Sequence, residues 1–219
     1  MNKSQKHLII GIIIAAVAII YTFLVTRIDV KPIGPEGSLV GFSTINKAVH
    51  EYIGFHKDFY VLTNILGLFP FIGALVFAVI GLKELIEKKS FKLVNNRLYA
   101  IACLYILIGL VYLFFELVII NYRPVILNEG LEASYPSSHT MLGITLPLSF
   151  AYLIKYFIKS EKKVRALKLL SIVLGCAIIF GRIISGVHWA SDILGGILIS
   201  TALLLFFISS VEKIDEKET

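Results

Sequence analysis

The run LIIGIIIAAVAIIYTFLV, Leu8 to Val25, holds 18 consecutive residues without a charge. As a helix it reaches about 27 Å, close to the ~30 Å hydrocarbon thickness of a bilayer, and a helix is the form that satisfies every backbone polar group inside that thickness. Comparable runs follow at Phe59–Leu82, Leu98–Phe115, Thr140–Ile158 (interrupted by Lys155), Leu169–Val187 (interrupted by Arg182) and Ile193–Val211. The chain is 57% hydrophobic and only 16% charged, with a mean hydropathy of +0.85. These values lie outside the range of ordinary soluble domains. The expected fold is therefore all-α: a polytopic bundle of six transmembrane helices in a single integral membrane domain, residues 1–219. The first run exceeds a signal-peptide core and lacks a persuasive small-residue cleavage site, so it is expected to be a retained helix.

Orientation follows from Lys and Arg, which resist translocation when they lie in short loops. Six spans place Lys3, Lys6, Lys83, Lys88, Lys89, Lys92, Arg97, Lys155, Lys159, Lys162, Lys163, Arg165, Lys168, Lys213 and Lys217 on one side, 15 of the 21 basic residues. Arg27, Lys31, Lys47, Lys57, Arg123 and Arg182 fall on the other. Both termini are thus expected in the cytoplasm, the protein in the cell (plasma) membrane. The net charge of +6 reflects this topological bias and calls for no nucleic-acid partner. Cys103 and Cys176 fall within predicted spans and imply no disulfide framework. No linker or tandem repeat divides the chain, and nothing in it sets an oligomeric state.

In the first outer loop, VKPIGPEGSLVG (Val30–Gly41) is rich in turn-forming Pro and Gly. Beyond it Phe42, Ile45, Val49, Tyr52, Ile53 and His56 recur at helical spacing. That pattern predicts an amphipathic helix lying in the membrane interface, where it anchors and covers the bundle.

Three polar clusters share the outer side. Glu116, Asn121 and Arg123 leave the third span, Ser137, Ser138 and His139 enter the fourth, and Arg182, His188 and Asp192 join the fifth to the sixth. An isolated charge at a span end snorkels to water. A charge at mid-helix costs ~2.5 to 3.5 kcal/mol on insertion scales, and several gathered on one side point to pairing around a site. Arginine forks suit phosphate oxygens. Serines at a helix start add hydroxyls and unpaired N–H groups that favour an anion. Two histidines supply a nucleophile and an acid for phosphoryl transfer. His188 lies four residues before Asp192, a spacing that lets the carboxylate orient the imidazole if the last helix starts early, which makes His188 the expected nucleophile and His139 the acid.

These clusters resemble the three-part motif of the type 2 phosphatidic acid phosphatase superfamily, integral membrane lipid phosphatases. Its elements stand here as ELVIINYRP (Glu116–Pro124), PSSH (Pro136–His139) and GRIISGVHWASD (Gly181–Asp192). The resemblance covers roughly residues 98–211. It implies that Arg123, Arg182 and Ser137 bind the phosphoryl group, beside the Ser138 that the helix start also offers to phosphate, that His188 forms a phosphohistidine oriented by Asp192, and that His139 protonates the leaving oxygen and then activates water. It implies no metal and no cofactor, a lipid phosphate as substrate, and a site on the extracytoplasmic face. The chain departs from the pattern in three places: Ser138 stands for Gly, Gly181 for Ser, and Glu116 for the first Lys. The last exchanges a cation for an anion, and Glu116 is expected to pair with an arginine or to select the headgroup. A lipid phosphotransferase using the same site, or a non-catalytic phospholipid-binding membrane protein, are the alternative functions.

Overall fold

The structure, a computed structural model, describes residues 1–218. Eight α-helices account for its architecture: α1 (Lys3–Val25), α2 (Ser43–Ile53), α3 (Lys57–Leu66), α4 (Pro70–Lys88), α5 (Asn96–Leu117), α6 (Ser138–Leu153), α7 (Glu161–Ser185) and α8 (Ala190–Glu218). Among the described residues there is no strand, only isolated bridges such as Tyr122–Ala133 in the loop after α5. The all-α class is as expected.

Length and composition allow five crossings: α1, the α3–α4 stretch Lys57–Lys88, α5, α7 and α8. Side chains such as Ile12, Ile19, Leu75, Leu113 and Leu170 lie exposed on their outer faces. Such faces need a lipid solvent, and the chain is an integral membrane protein. The expected fourth span is shorter than the run Thr140–Ile158. Its α-helix is α6, 16 residues, followed by a single 3₁₀ turn at Ile154–Tyr156.

The expected second span is not one helix. Gly67 ends α3 and Pro70 opens α4 at its first turn, so the apolar run bends at Gly67–Phe69; Pro is preorganised for that position and has no N–H to lose there. The helix predicted from Phe42 to His56 also stops early. Gly54 takes φ +72° beyond Ile53, and the His56 N–H bonds to Ser185 O at 3.0 Å. On α2, Ile45 and Tyr52 are exposed while polar Asn46 is 1% exposed.

α1 runs antiparallel to α8. Ser209 Oγ donates to Ser4 O at one end, 2.8 Å, and Tyr21 Oη donates to Ser191 O at the other, 3.2 Å. α6 lies between α7 and α8, and α3 covers α7. An apolar core of Phe77, Leu98, Ile101, Leu104, Leu153, Ile154, Phe207 and Val211 joins α4, α5, α6 and α8.

The end of the bundle that carries both termini is closed by ion pairs. Arg97 Nη2 lies 2.6 Å from both Asp215 Oδ1 and Glu218 Oε2, Tyr156 Oη donates to Asp215 Oδ2 at 2.5 Å, and His7 Nδ1 lies 2.7 Å from Glu212. Asn2 Nδ2 donates to Glu216 at 2.8 Å, which ties the start of α1 to the end of α8.

Candidate active site

At the opposite end the three sequence clusters meet. Arg123 lies in the loop after α5, His139 in the first turn of α6, Arg182 in the last turn of α7, His188 in the short connection Gly186–Trp189, and Asp192 in the first turn of α8. Gly186 makes that connection possible. It caps α7 at φ +63°, and a Cβ there would overlap Gly54 O of the segment packed against it.

Arg182 is fully buried. Its Nη2 donates to Asn64 Oδ1 at 2.5 Å, and its guanidinium carbon sits 5.2 Å from the centre of the Tyr60 ring. Both supports come from α3, which explains one departure from the motif: at position 181 any Cβ would overlap Thr63 Cγ2. Gly181 therefore does more than omit a hydroxyl. It lets α3 approach closely enough to hold the arginine.

Arg123 Nε lies 3.1 Å from Glu132 Oε2 in an ionic contact. The angle does not make it a hydrogen bond, since Nε and Nη1 are both without a hydrogen-bond partner. Glu116 pairs with neither arginine within 4 Å among the described residues. It is exposed at the lip of a small polar cavity beside Tyr112, and Arg123, Ser134, Ser138 and His188 also line that cavity. The expected Glu116–arginine pair is thus replaced by Glu132–Arg123, because the outer loop folds back as Tyr122 bridges Ala133.

Ser137 and Ser138 divide the work expected of both. Ser137 Oγ caps α6, accepting from Thr140 N at 3.4 Å and Thr140 Oγ1 at 2.9 Å, and its own N–H donates to Asp192 O at 3.0 Å. Ser138 faces the cavity. Directly beside this cavity, an apolar cleft of about 500 Å³ lies between α4, α5 and α6, with Phe71, Tyr105, Tyr112, Leu142, Ser138 and His139 in its wall.

The spacing of His188 and Asp192 suggested direct contact on one helix, but α8 begins only at Ala190. A third residue stands between them. Ser134 Oγ lies 2.6 Å from Asp192 Oδ2 and 3.0 Å from His188 Nδ1. Asp192 also accepts from Asn121 Nδ2 at 2.9 Å and from Trp189 N at 3.0 Å. Asn46 of α2 joins the same network, donating to Ser191 Oγ at 2.9 Å and accepting from Ser191 N at 3.1 Å. Ser134, Asn64 and Asn46 carry no spacing signal in the sequence, and Asn121 showed itself only as a polar residue near a span end.

Burial first, and then the positive charges of Arg123 and Arg182, hold the His188 imidazole well below its usual 6.5. Among the described residues nine buried side-chain nitrogens or oxygens have no hydrogen-bond partner, and six belong to this cluster: Nε and Nη1 of both Arg123 and Arg182, His139 Nδ1 and His188 Nε2. No group of three or more His, Cys, Asp or Glu side chains is placed to share a metal ion, again among the described residues.

An all-helical integral membrane protein that gathers two arginines and two histidines at one end of its bundle is the class that fold and site define. The chain belongs to the PAP2 superfamily, whose profile matches residues 71–216. It is similar to the crystal structure of a transmembrane PAP2-type phosphatidylglycerolphosphate phosphatase from Bacillus subtilis, with 21% identity, a TM-score of 0.50, and coverage of 100% of this chain and 98% of that one. At that identity the likeness establishes the fold. No curated protein matches the chain.

Proposed function

We propose that the protein is a lipid phosphate phosphatase that hydrolyses a phosphomonoester or pyrophosphate of a membrane lipid through a phosphohistidine. The observation that carries this reading is the set of six buried nitrogens of Arg123, Arg182, His139 and His188 without a hydrogen-bond partner among the described residues. A buried donor left unpaired costs ~1 to 3 kcal/mol. Several such donors in one place are explained by an anion that satisfies them together.

A phosphoryl group seated there takes the free donors of both guanidinium groups, with Ser138 and the first N–H groups of α6 adding to the cradle that Ser137 caps. His188 Nε2 attacks phosphorus, the bond from phosphorus to the lipid oxygen breaks, and His139 protonates that oxygen. Water then attacks phosphorus, His139 takes its proton, and the P–N bond electrons return to Nε2 as inorganic phosphate leaves. The lipid tail lies in the apolar cleft beside His139, where contact is nonspecific. None of these steps assigns work to a metal or cofactor. At the lip, Glu116 is left to receive a hydroxyl or ammonium of the headgroup.

The membrane arrangement belongs to the same reading: one domain with six spans, α6 being the short one, α2 in the interface, both termini cytoplasmic and the site on the extracytoplasmic face of the plasma membrane. Its support is the basic-residue bias together with the antiparallel α1–α8 pair, which puts the termini and the site at opposite ends. In a background lacking Cys103 and Cys176, Glu129→Cys should react in intact cells with an impermeant thiol reagent and Ser160→Cys should not. The reverse pattern refutes the sidedness.

Phosphate release from a panel of lipid phosphates in mixed micelles, with chelator present, tests the chemistry. The native chain should turn over and His188→Ala should not. Near-native hydrolysis by His188→Ala removes the phosphohistidine, and appearance of a phosphorylated acceptor in place of free phosphate would make the protein a transferase.

A further inference from the structure

The hydrogen bonds around Asp192 carry information about His188 that the motif spacing does not. Asn121 Oδ1 accepts from the Gly41 N–H at 3.3 Å, which fixes the orientation of that amide and leaves Nδ2 facing Asp192 Oδ1. Asp192 Oδ2 accepts from the Trp189 N–H. Each oxygen thus accepts from a fixed N–H donor, and hydrogen bonds of that kind favour the ionised carboxylate. A carboxylate can only accept from the Ser134 hydroxyl 2.6 Å away, a short charge-assisted distance. A serine has one proton. With it committed to Asp192, Ser134 Oγ can only accept from His188 Nδ1 at 3.0 Å. The proton of the neutral imidazole then resides on Nδ1, and the lone pair is on the unpartnered Nε2.

We infer that Ser134 is a positioning residue for the nucleophile, transmitting the Asp192 carboxylate to His188 through its hydroxyl and selecting the tautomer whose Nε2 can attack. Resting on the phosphatase reading above, the inference adds a residue that lies outside all three motif elements. Ser134 is 2% exposed, and its N–H donates to Asn121 O at 2.9 Å. The same asparagine therefore anchors the serine through its backbone and the carboxylate through its side chain. A reversed chain, with a protonated Asp192 donating to Ser134 and Ser134 donating to Nδ1, would leave the proton on Nε2 and a ring unable to attack.

Two measurements test this on the full-length protein in lipid nanodiscs. The ring nitrogens of the protein's five histidines, labelled with ¹⁵N and with His188 assigned from the signal missing in His188→Gln, should show His188 protonated at Nδ1 at neutral pH. Protonation at Nε2 in the native chain overturns the inference whatever any variant does. Ser134→Ala should lower kcat by about 10- to 100-fold, by analogy with metal-bound histidines that lose the partner orienting them, with KM within about twofold and the tautomers mixed. Ser134→Thr, which keeps the hydroxyl, should recover most of kcat and the Nδ1–H signal. Native kcat in Ser134→Ala with an inactive His188→Ala refutes the role of Ser134 alone, whereas an active His188→Ala refutes the phosphatase mechanism on which it rests.

Discussion

Two buried arginines at opposite ends of the bundle are treated in opposite ways. At the terminal end Arg97 is gripped by Asp215 and Glu218, and its guanidinium also lies 4.4 Å from the centre of the Tyr156 ring. At the other end Arg182, still more deeply buried, receives only a neutral amide and an aromatic face among the described residues. The first arrangement neutralises its charge internally and ties α5 to α8. The second holds a guanidinium in place while leaving two of its nitrogens without a hydrogen-bond partner among the described residues, which costs stability and, on the proposed function, is offset by a bound anion. The arginine is therefore paired within the protein at one end and left partly unpaired at the other.

The largest expected effect comes from deleting each arginine. Arg182→Ala should lower phosphate release by about 100- to 1000-fold, as loss of a charge-stabilising donor does, with the unfolding midpoint in detergent unchanged or raised. Arg97→Ala should leave turnover within about twofold and destabilise by about 1 to 3 kcal/mol, less than a fully buried pair because its partners are partly exposed. If Arg97→Ala abolishes turnover while Arg182→Ala spares it, the contrast between the ends is wrong.

Ligand stabilisation is the next largest. Orthophosphate at about 100 times its dissociation constant should stabilise the native chain by roughly 2.7 kcal/mol. A melting series should show the same rise in Arg97→Ala and none in Arg182→Ala. An equal rise in all three would put the anion elsewhere.

The pH dependence should be smaller. His188 is neutral in the fold well below its usual 6.5, whereas in the unfolded chain it titrates near 6.5, so below about pH 6.5 the unfolded state binds the extra proton. Its contribution to stability is full above about pH 6.5 and is lost as pH falls. For catalysis, the acid limb of kcat/KM assigned to His188 should lie below pH 6.5 and move upward in Arg182→Gln, which removes one of the charges opposing protonation. An acid limb above 6.5 in the native enzyme would mean that the cluster is not electropositive.

Smallest is Glu116→Gln, because an exposed carboxylate is well screened. We expect a change of about two- to fivefold, mainly in KM and confined to headgroups that carry an amine or hydroxyl, as substrate panels would reveal. Equal loss on every lipid phosphate would favour a role in holding the loop, and a gain in turnover with Glu116→Lys would mean that the carboxylate merely weakens phosphate binding.

Legibility differed between fold and site for physical reasons. Apolar runs announce helices because the bilayer forbids unpaired backbone, yet the same uniform apolarity hid the break at Gly67–Phe69, where Gly67 and Pro70 were present but inconspicuous. His139, Arg123, Arg182 and His188 were legible through their order and their positions at span ends. Ser134 was not, because a single hydroxyl bonded across 54 residues to one partner and 58 to another leaves no periodicity. Asn46 was not legible either, because the burial of a polar side chain on an amphipathic helix depends here on α8 lying across it.

Composition and spacing alone determined a lipid-embedded all-helical chain with three polar clusters near helix ends, because hydrophobic transfer and backbone satisfaction act on local runs of residues. Tertiary structure alone decided that Glu132 takes the arginine contact expected of Glu116, that Ser137 caps while Ser138 faces the cavity, and that a serine stands between His188 and Asp192. A hydrogen bond is a matter of tenths of an ångström between particular atoms, and distances of that kind come into being only when helices remote in sequence are packed together.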